Sequence, residues 1–121
     1  MSDSRVLGRN AEVYALRYLE SNQLKLIERN YTTRYGEIDL IMQEDNTIVF
    51  VEVRKRSNQL FGGATESIGH NKKKRLIKTA YDWMQKKSYD GNCRFDVVAL
   101  DKESSPNWIR NAFDVDDTMY L

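Results

Sequence analysis

The chain holds one cysteine (Cys93), one histidine (His70) and one proline (Pro106) in 121 residues. A lone cysteine excludes an intrachain disulfide framework and a Cys-based zinc site. A lone histidine leaves nothing for a histidine-rich metal cage. The expected setting is reducing and intracellular. No apolar run nears the roughly 20 residues of a membrane-spanning helix, and Met1-Ser2-Asp3-Ser4-Arg5 lacks the apolar core of a signal peptide. The cytoplasm, with no membrane contact, is the expected location. There is no internal repeat, low-complexity tract or Pro/Gly/Ser linker. Pro106 falls in Asp101–Asn107, which reads as a loop. One domain spanning residues 1–121 is the expected organisation.

What is present is a globular composition, with 40% hydrophobic, 11% aromatic and 31% charged residues. The net charge of +1 conceals an uneven distribution. Arg54 to Lys87 carries ten basic and two acidic residues, a net of +8, and the rest of the chain nets −7. Gathered on one face, such a segment suits a polyanion. A well-solvated helix and loop is the alternative.

Apolar residues Ala11, Ala15, Leu16 and Leu19 recur at helical spacing between Val6 and Ser21, with Asn22 as the stop. Leu24 to Thr33 reads as a strand. Gly36–Gln43 and Thr47–Arg54 read as an antiparallel hairpin around Glu44-Asp45-Asn46. Period-2 alternation puts Ile38, Leu40 and Met42 on one face of the first strand, and Glu37, Asp39 and Ile41 on the other. On the next strand it separates Val49, Val51 and Val53 from Ile48, Phe50, Glu52 and Arg54. Lys55 to His70 reads as a loop around Gly62-Gly63, with His70 near the following helix start. Asn71 is the candidate cap of a helix reaching about Lys87, whose buried stripe is Leu76, Ile77, Ala80, Trp83 and Met84. Tyr81 is expected in the core as well. Asp90-Gly91-Asn92 reads as a turn, Arg94–Leu100 as a buried strand with Cys93 packed near its start, and Asn107–Phe113 as one more strand. The order α-β-β-β-α-β(-β) predicts a mixed sheet flanked by helices, with a parallel crossover around the second helix.

Asp39 and Glu52 converge if the hairpin brings their faces together, with Glu37 beside them. Clustered carboxylates repel unless they are protonated or share a cation. Magnesium or manganese is the natural occupant, and would activate water and neutralise a phosphate. The alternative is a set of solvent-facing acids paired across the strands. Lys72-Lys73-Lys74-Arg75 opens the second helix, where cations oppose the macrodipole but help bind phosphate. Arg54-Lys55-Arg56 extends this basic patch, and Phe61 offers a ring for base stacking or loop packing. Asp114, Asp116 and Asp117 read as a solvated acidic tail.

An acid on one strand followed after thirteen residues by Glu-x-Arg on the next (Asp39, then Glu52 and Arg54) resembles the PD-(D/E)xK pattern of restriction-endonuclease-like nucleases. Gly36-Glu37-Ile38-Asp39-Leu40-Ile41, Val49-Phe50-Val51-Glu52-Val53 and Phe61-Gly62-Gly63 with the Lys-rich helix after it are similar to the YraN-like bacterial family, which looks like the archaeal Holliday junction resolvases. The resemblance covers about Leu7 to Asp101. It implies an α/β restriction-endonuclease-like αβββαβ core and a metal site of Asp39 and Glu52 with Glu12 as a third acid and Glu37 as a further candidate ligand. It also implies binding and cleavage of branched DNA by a homodimer. The chain departs from the pattern in placing Arg54 where the family has its catalytic lysine. Arginine holds its proton too tightly to act as a base. Spacing nominates Lys73 as a substitute. Three readings stand: a magnesium-dependent DNA endonuclease, a catalytically silent nucleic-acid-binding module, and a protein-interaction domain.

Overall fold

The computed structural model describes residues 4–56, 68–101 and 106–114. Phe61, Gly62, Gly63, Asp116 and Asp117 lie outside the described residues, as does the side chain of Arg56. The elements are α1 (Ser4–Ser21), β1 (Lys25–Thr33), β2 (Gly36–Glu44), β3 (Thr47–Arg56), α2 (His70–Lys86), β4 (Asn92–Asp101) and β5 (Asn107–Phe113).

Local chemistry sets most of these boundaries. The side-chain amide of Asn22 donates to the Tyr18 carbonyl at 2.8 Å and closes α1. Asp45 takes a left-handed backbone (φ 52) between β2 and β3, which a short polar side chain tolerates. The start of α2 differs from expectation. Gly69, in extended backbone, is the cap, and its carbonyl accepts from the Lys73 N–H at 3.1 Å. The helical ladder therefore begins before Asn71, which sits inside the first turn and caps nothing. The helix ends as expected, with Lys87 as its C-cap, but the turn after it closes before Asn92. The chain turns at Lys87–Ser88, with Ser88 left-handed (φ 52), so Asn92 already belongs to β4.

The five strands lie in the order β1-β2-β3-β4-β5. Neighbours are antiparallel except β3 and β4, which run parallel from Thr47↔Asn92 to Arg56↔Asp101. The parallel pair is bridged by α2, as expected of a crossover. Alternation along β3 divides the core into two layers. Val49 and Val51 pack under α1 with Ala15, Leu19, Leu40, Met42 and Val98. Ile48 and Phe50 pack under α2 with Leu76, Ile77, Ala80 and Trp83. Phe50 meets Trp83 edge-on at 5.8 Å and stacks on Phe95 at 5.4 Å. Cys93 packs against this second layer. Tyr81 does not: it lies just outside the stripe that Ile77, Ala80 and Trp83 fill, and is 47% exposed. Among the described residues no helix is long and apolar enough to cross a membrane.

Asp96, fully buried on β4, fastens β5 to the sheet. The β4–β5 register slips between Phe95 and Val97, and the displaced Asn111 N–H donates to Asp96 Oδ1 at 2.9 Å. Trp108 Nε1 donates to Oδ2 at 2.9 Å, and Arg94 Nε binds both oxygens at 3.0 and 3.2 Å. Removing Asp96 takes one of two acid partners from Arg94 and leaves the Asn111 N–H and the Trp108 Nε1–H without an acceptor. Asp96→Ala should therefore lower unfolding free energy by roughly 3–5 kcal/mol in urea titration. A loss under about 1 kcal/mol, the worth of an exposed pair, would show that this network does not hold the edge.

Candidate functional site

The site begins where two strands part. The β2–β3 ladder runs from Glu44↔Thr47 to Leu40↔Val51 and stops. Beyond it β3 continues beside β4, while β2 continues beside β1 to Thr33↔Gly36. The wedge between them would strand the Val53 N–H, and the carboxylate of Asp39 accepts it at 2.8 Å through Oδ2. Past the fork the pleat of β2 is no longer locked to that of β3. Ile38 accordingly packs with Ile41 under α2, and not with Leu40 and Met42 under α1 as strict alternation requires.

Asp39 and Glu52 stand at the next positions of the interrupted ladder, and the structure brings them together as expected, both lining one cleft. Glu52 is only 5% exposed. Its Oε2 lies 2.9 Å from Lys72 Nζ and 3.6 Å from Arg54 Nη1. On the other side of Asp39, α1 delivers Glu12 and β2 delivers Glu37. Carboxylate oxygens of Glu12, Glu37 and Asp39 lie within 4.8 Å of one another. The mutually close trio is thus Glu12, Glu37 and Asp39. Glu52, expected among the metal ligands, is turned toward Lys72. The two walls face across a cleft of about 260 Å³ lined by Gly36, Glu37, Asp39, Glu52, Lys72 and Arg75, with Leu76 at its base.

Electrostatics follow from this crowding. Burial, together with the charge and hydrogen bond of Glu52, pushes the Asp39 carboxyl up to about 8. Burial also raises Glu12, helped by the charges of Glu37 and Glu52 and opposed by a hydrogen bond from Asn30 and the charge of Arg29. The Arg29 guanidinium is 4.0 Å away from Glu12. Among the described residues no ion pair to Asp39 is formed, while Lys72 of the cleft and Arg54 on β3 both lie beside Glu52.

The basic residues are less concentrated than the sequence implies. Of Lys72-Lys73-Lys74-Arg75, Lys72 and Arg75 line the cleft. The Lys73 ammonium lies over the Phe113 ring instead, 5.7 Å from its centroid, so Lys73 is not the lysine that reaches the acids. Lys72 is, because one step along a helix turns a side chain by about 100°. Lys55 is exposed at the end of β3, and Lys74 is partly buried outside the cleft lining. A further wall residue, Gly36, was legible only as a strand start. Its φ of +151° is a backbone state that side chains avoid, and it lets the β1–β2 turn run against Arg75 and Thr79.

The donor set suits a hard divalent cation. All three close groups are carboxylates, which bind magnesium or manganese well and soft metals poorly. The upward shift of the Asp39 carboxyl marks the place where added positive charge relieves repulsion. Glu12, Glu37 and Asp39 could hold such an ion.

The architecture, an α/β fold of five mixed strands between two helices, fits a restriction-endonuclease-like core with an acidic cluster at its forked strands. The chain belongs to the family described as "Uncharacterised protein family UPF0102", whose model matches residues 11–100. This is the YraN family that the motifs resemble. It is 49% identical over 116 residues to the UPF0102 protein of Nitrosomonas europaea, covering 94% of this chain and 98% of that one. It is 46% identical over 110 residues to the UPF0102 protein of Herminiimonas arsenicoxydans, covering 91% and 88%.

The raised Asp39 carboxyl makes stability depend on pH with a definite sign. Between its ordinary value of 3.8 and about 8 the folded chain binds more protons than the unfolded chain. Stability contributed by this group therefore falls as pH rises from about 4 to about 8. Glu12 acts in the same direction. In thermal melts Asp39→Asn should flatten this fall, since an amide stays neutral throughout. Magnesium should raise the parent's melting temperature more at pH 8 than at pH 6. Identical pH slopes in parent and variant would contradict the assignment.

Proposed function

We propose that this protein binds nucleic acid, DNA in preference, across the cleft and hydrolyses a phosphodiester bond there with a divalent cation held by Glu12, Glu37 and Asp39. One observation carries the reading: Glu37 and Asp39 share one cleft with Lys72 and Arg75, and Glu12 brings a third carboxylate within 4.8 Å of both acids. The bound cation would lower the pKa of a water and offset charge on the phosphate. Lys72 and Arg75 hold the phosphate oxygens, and the net +8 segment from Arg54 to Lys87 draws in the backbone. Arg54 stabilises the charge that develops on the phosphate but does not take a proton. Lys72, held by Glu52, takes the place of the missing strand lysine in orienting the attacking water. In the reaction, water oxygen bonds to phosphorus, the P–O bond to the departing sugar breaks, and the sugar oxygen leaves with a proton.

Asp39 is the residue on which metal and fork depend, and Lys72 is the residue that distinguishes this reading from a silent module. The deciding assay incubates purified protein with a labelled four-way DNA junction and a matched linear duplex, with magnesium or manganese. Cleavage should require metal and disappear in Asp39→Asn. Lys72→Ala should slow it by about 10²-fold or more, with binding weakened far less. Binding that weakens steeply with salt but yields no product would mark a silent module, for which Arg54→Lys is the variant expected to restore cutting. Absence of binding to either substrate at low salt would end the nucleic-acid reading and favour a protein-interaction domain.

A further inference from the structure

The turn joining β1 to β2 is unusually well fastened for a two-residue surface turn, and it stands at the mouth of the cleft. The Tyr35 N–H donates to Thr33 Oγ1 at 3.1 Å. That hydroxyl lies 3.4 Å from Thr79 Oγ1 on α2, which in turn donates to the Arg75 carbonyl at 2.7 Å. Gly36, next in the chain, lets the backbone pass close to Arg75 and Thr79. The Tyr35 ring is thereby held beside α2. The exposed Arg34 guanidinium lies over it at 5.0 Å and donates to its hydroxyl at 2.8 Å, and the exposed Lys78 ammonium lies over it at 5.6 Å.

Lys72, Arg75 and Lys78 follow one another every third residue along α2, a run of about 9 Å at 1.5 Å per residue. The run starts at Glu52 in the cleft and ends at the Tyr35 ring. Beyond it the helix presents Asp82, which is engaged by Tyr31 and Lys86. A row of cations ending on an aromatic ring whose hydroxyl is held by a guanidinium matches a nucleotide strand in both its parts. Phosphates sit on the cations, and a base face packs on the ring or on the guanidinium plane. The run is long enough to follow a short stretch of nucleic-acid backbone from the cleft to the ring. Inside a duplex both faces of every base are already stacked, so only an unpaired base can use such a platform.

We infer that Arg34, Tyr35 and Lys78 form a stacking platform for an unpaired nucleotide a few steps from the phosphate in the cleft, so that the preferred ligand carries a flap, gap or single-stranded end. This rests on the nucleic-acid reading above and names its substrate class.

The test measures fluorescence anisotropy of the full chain in metal-free buffer. The ligands are a labelled duplex with a single-stranded DNA flap, the same duplex with an RNA flap, and a blunt duplex of equal length. Tyr35→Ala should weaken flap binding by about tenfold and blunt-duplex binding by less than about twofold. Tyr35→Phe, which keeps the ring but loses the hydroxyl contact, should retain flap affinity. Lys78→Ala should weaken all three ligands and reduce the salt slope by about one. The two flaps reveal whether the platform distinguishes sugars. Equal losses on flap and blunt duplex, or a Phe variant as impaired as the Ala variant, would assign Tyr35 to fastening the turn and overturn the inference alone. A parent protein that binds none of the ligands overturns the nucleic-acid reading and the inference with it. Melting temperatures of both Tyr35 variants separate unfolding from lost stacking.

Discussion

The hydrogen bond from the Val53 N–H to the Asp39 carboxylate is the interaction on which the site depends. A sheet in which β3 must leave β2 and follow β4 opens a wedge, and a wedge leaves backbone donors without partners. Filling it with a side-chain carboxylate satisfies the donor but draws an ionisable group into a half-buried crevice. The Val53 N–H favours the charged form, but three acids oppose it: Glu52 from the facing strand, Glu37 from its own, and Glu12 from the helix across the sheet.

The same fold contains a control for this argument. Asp96 also repairs a broken ladder, accepting the Asn111 N–H where the β4–β5 register slips. It is more deeply buried than Asp39, yet it is grasped by Arg94 and Trp108. Arg94 is itself tied at 2.8 Å to Glu44, which Arg110 also binds. The two cations hold the Glu44 carboxyl below its ordinary range against the cost of its burial. A carboxylate placed to hold strands together is thus surrounded by donors and cations. Asp39 is surrounded by acids, an arrangement that a purely structural role gives no reason to keep.

The architecture was legible because it rests on local periodicity. The five strands, the two helices and the parallel crossover follow from the apolar spacing of residues such as Val49, Val51, Leu76 and Ala80, and from a short polar turn at Asp45. The convergence of Asp39 with Glu52 was legible for the same reason, since period-2 alternation fixed both faces. What escaped the sequence depends on where elements diverge or begin. Ile38 changed layers because the β2–β3 ladder ends at Leu40, which no local pattern encodes. Lys72, and not Lys73, reaches Glu52 because the first residue of α2 sets the rotation of every later side chain, and the cap is a bare glycine without a side-chain signal. The role of Tyr35 was hidden because a turn residue carries no periodicity at all.

Arg54 then takes on a different meaning. Read along the strand, it replaces the residue that the family resemblance assigns to proton handling, and this implies lost chemistry. Read in space, Arg54 and Lys72 approach the same Glu52 oxygen from strand and helix, at 3.6 and 2.9 Å. The nearer group is the ammonium, and its stem is flexible enough to swing from Glu52 to a phosphate or a water. A guanidinium on the strand also has a use that a second lysine would serve less well, because its planar fork can hold the carboxylate of Glu52 or two oxygens of one phosphate. In the proposed reaction the substitution therefore divides two tasks between two residues: charge would stay with Arg54 on β3, and the mobile donor would move to Lys72 on α2.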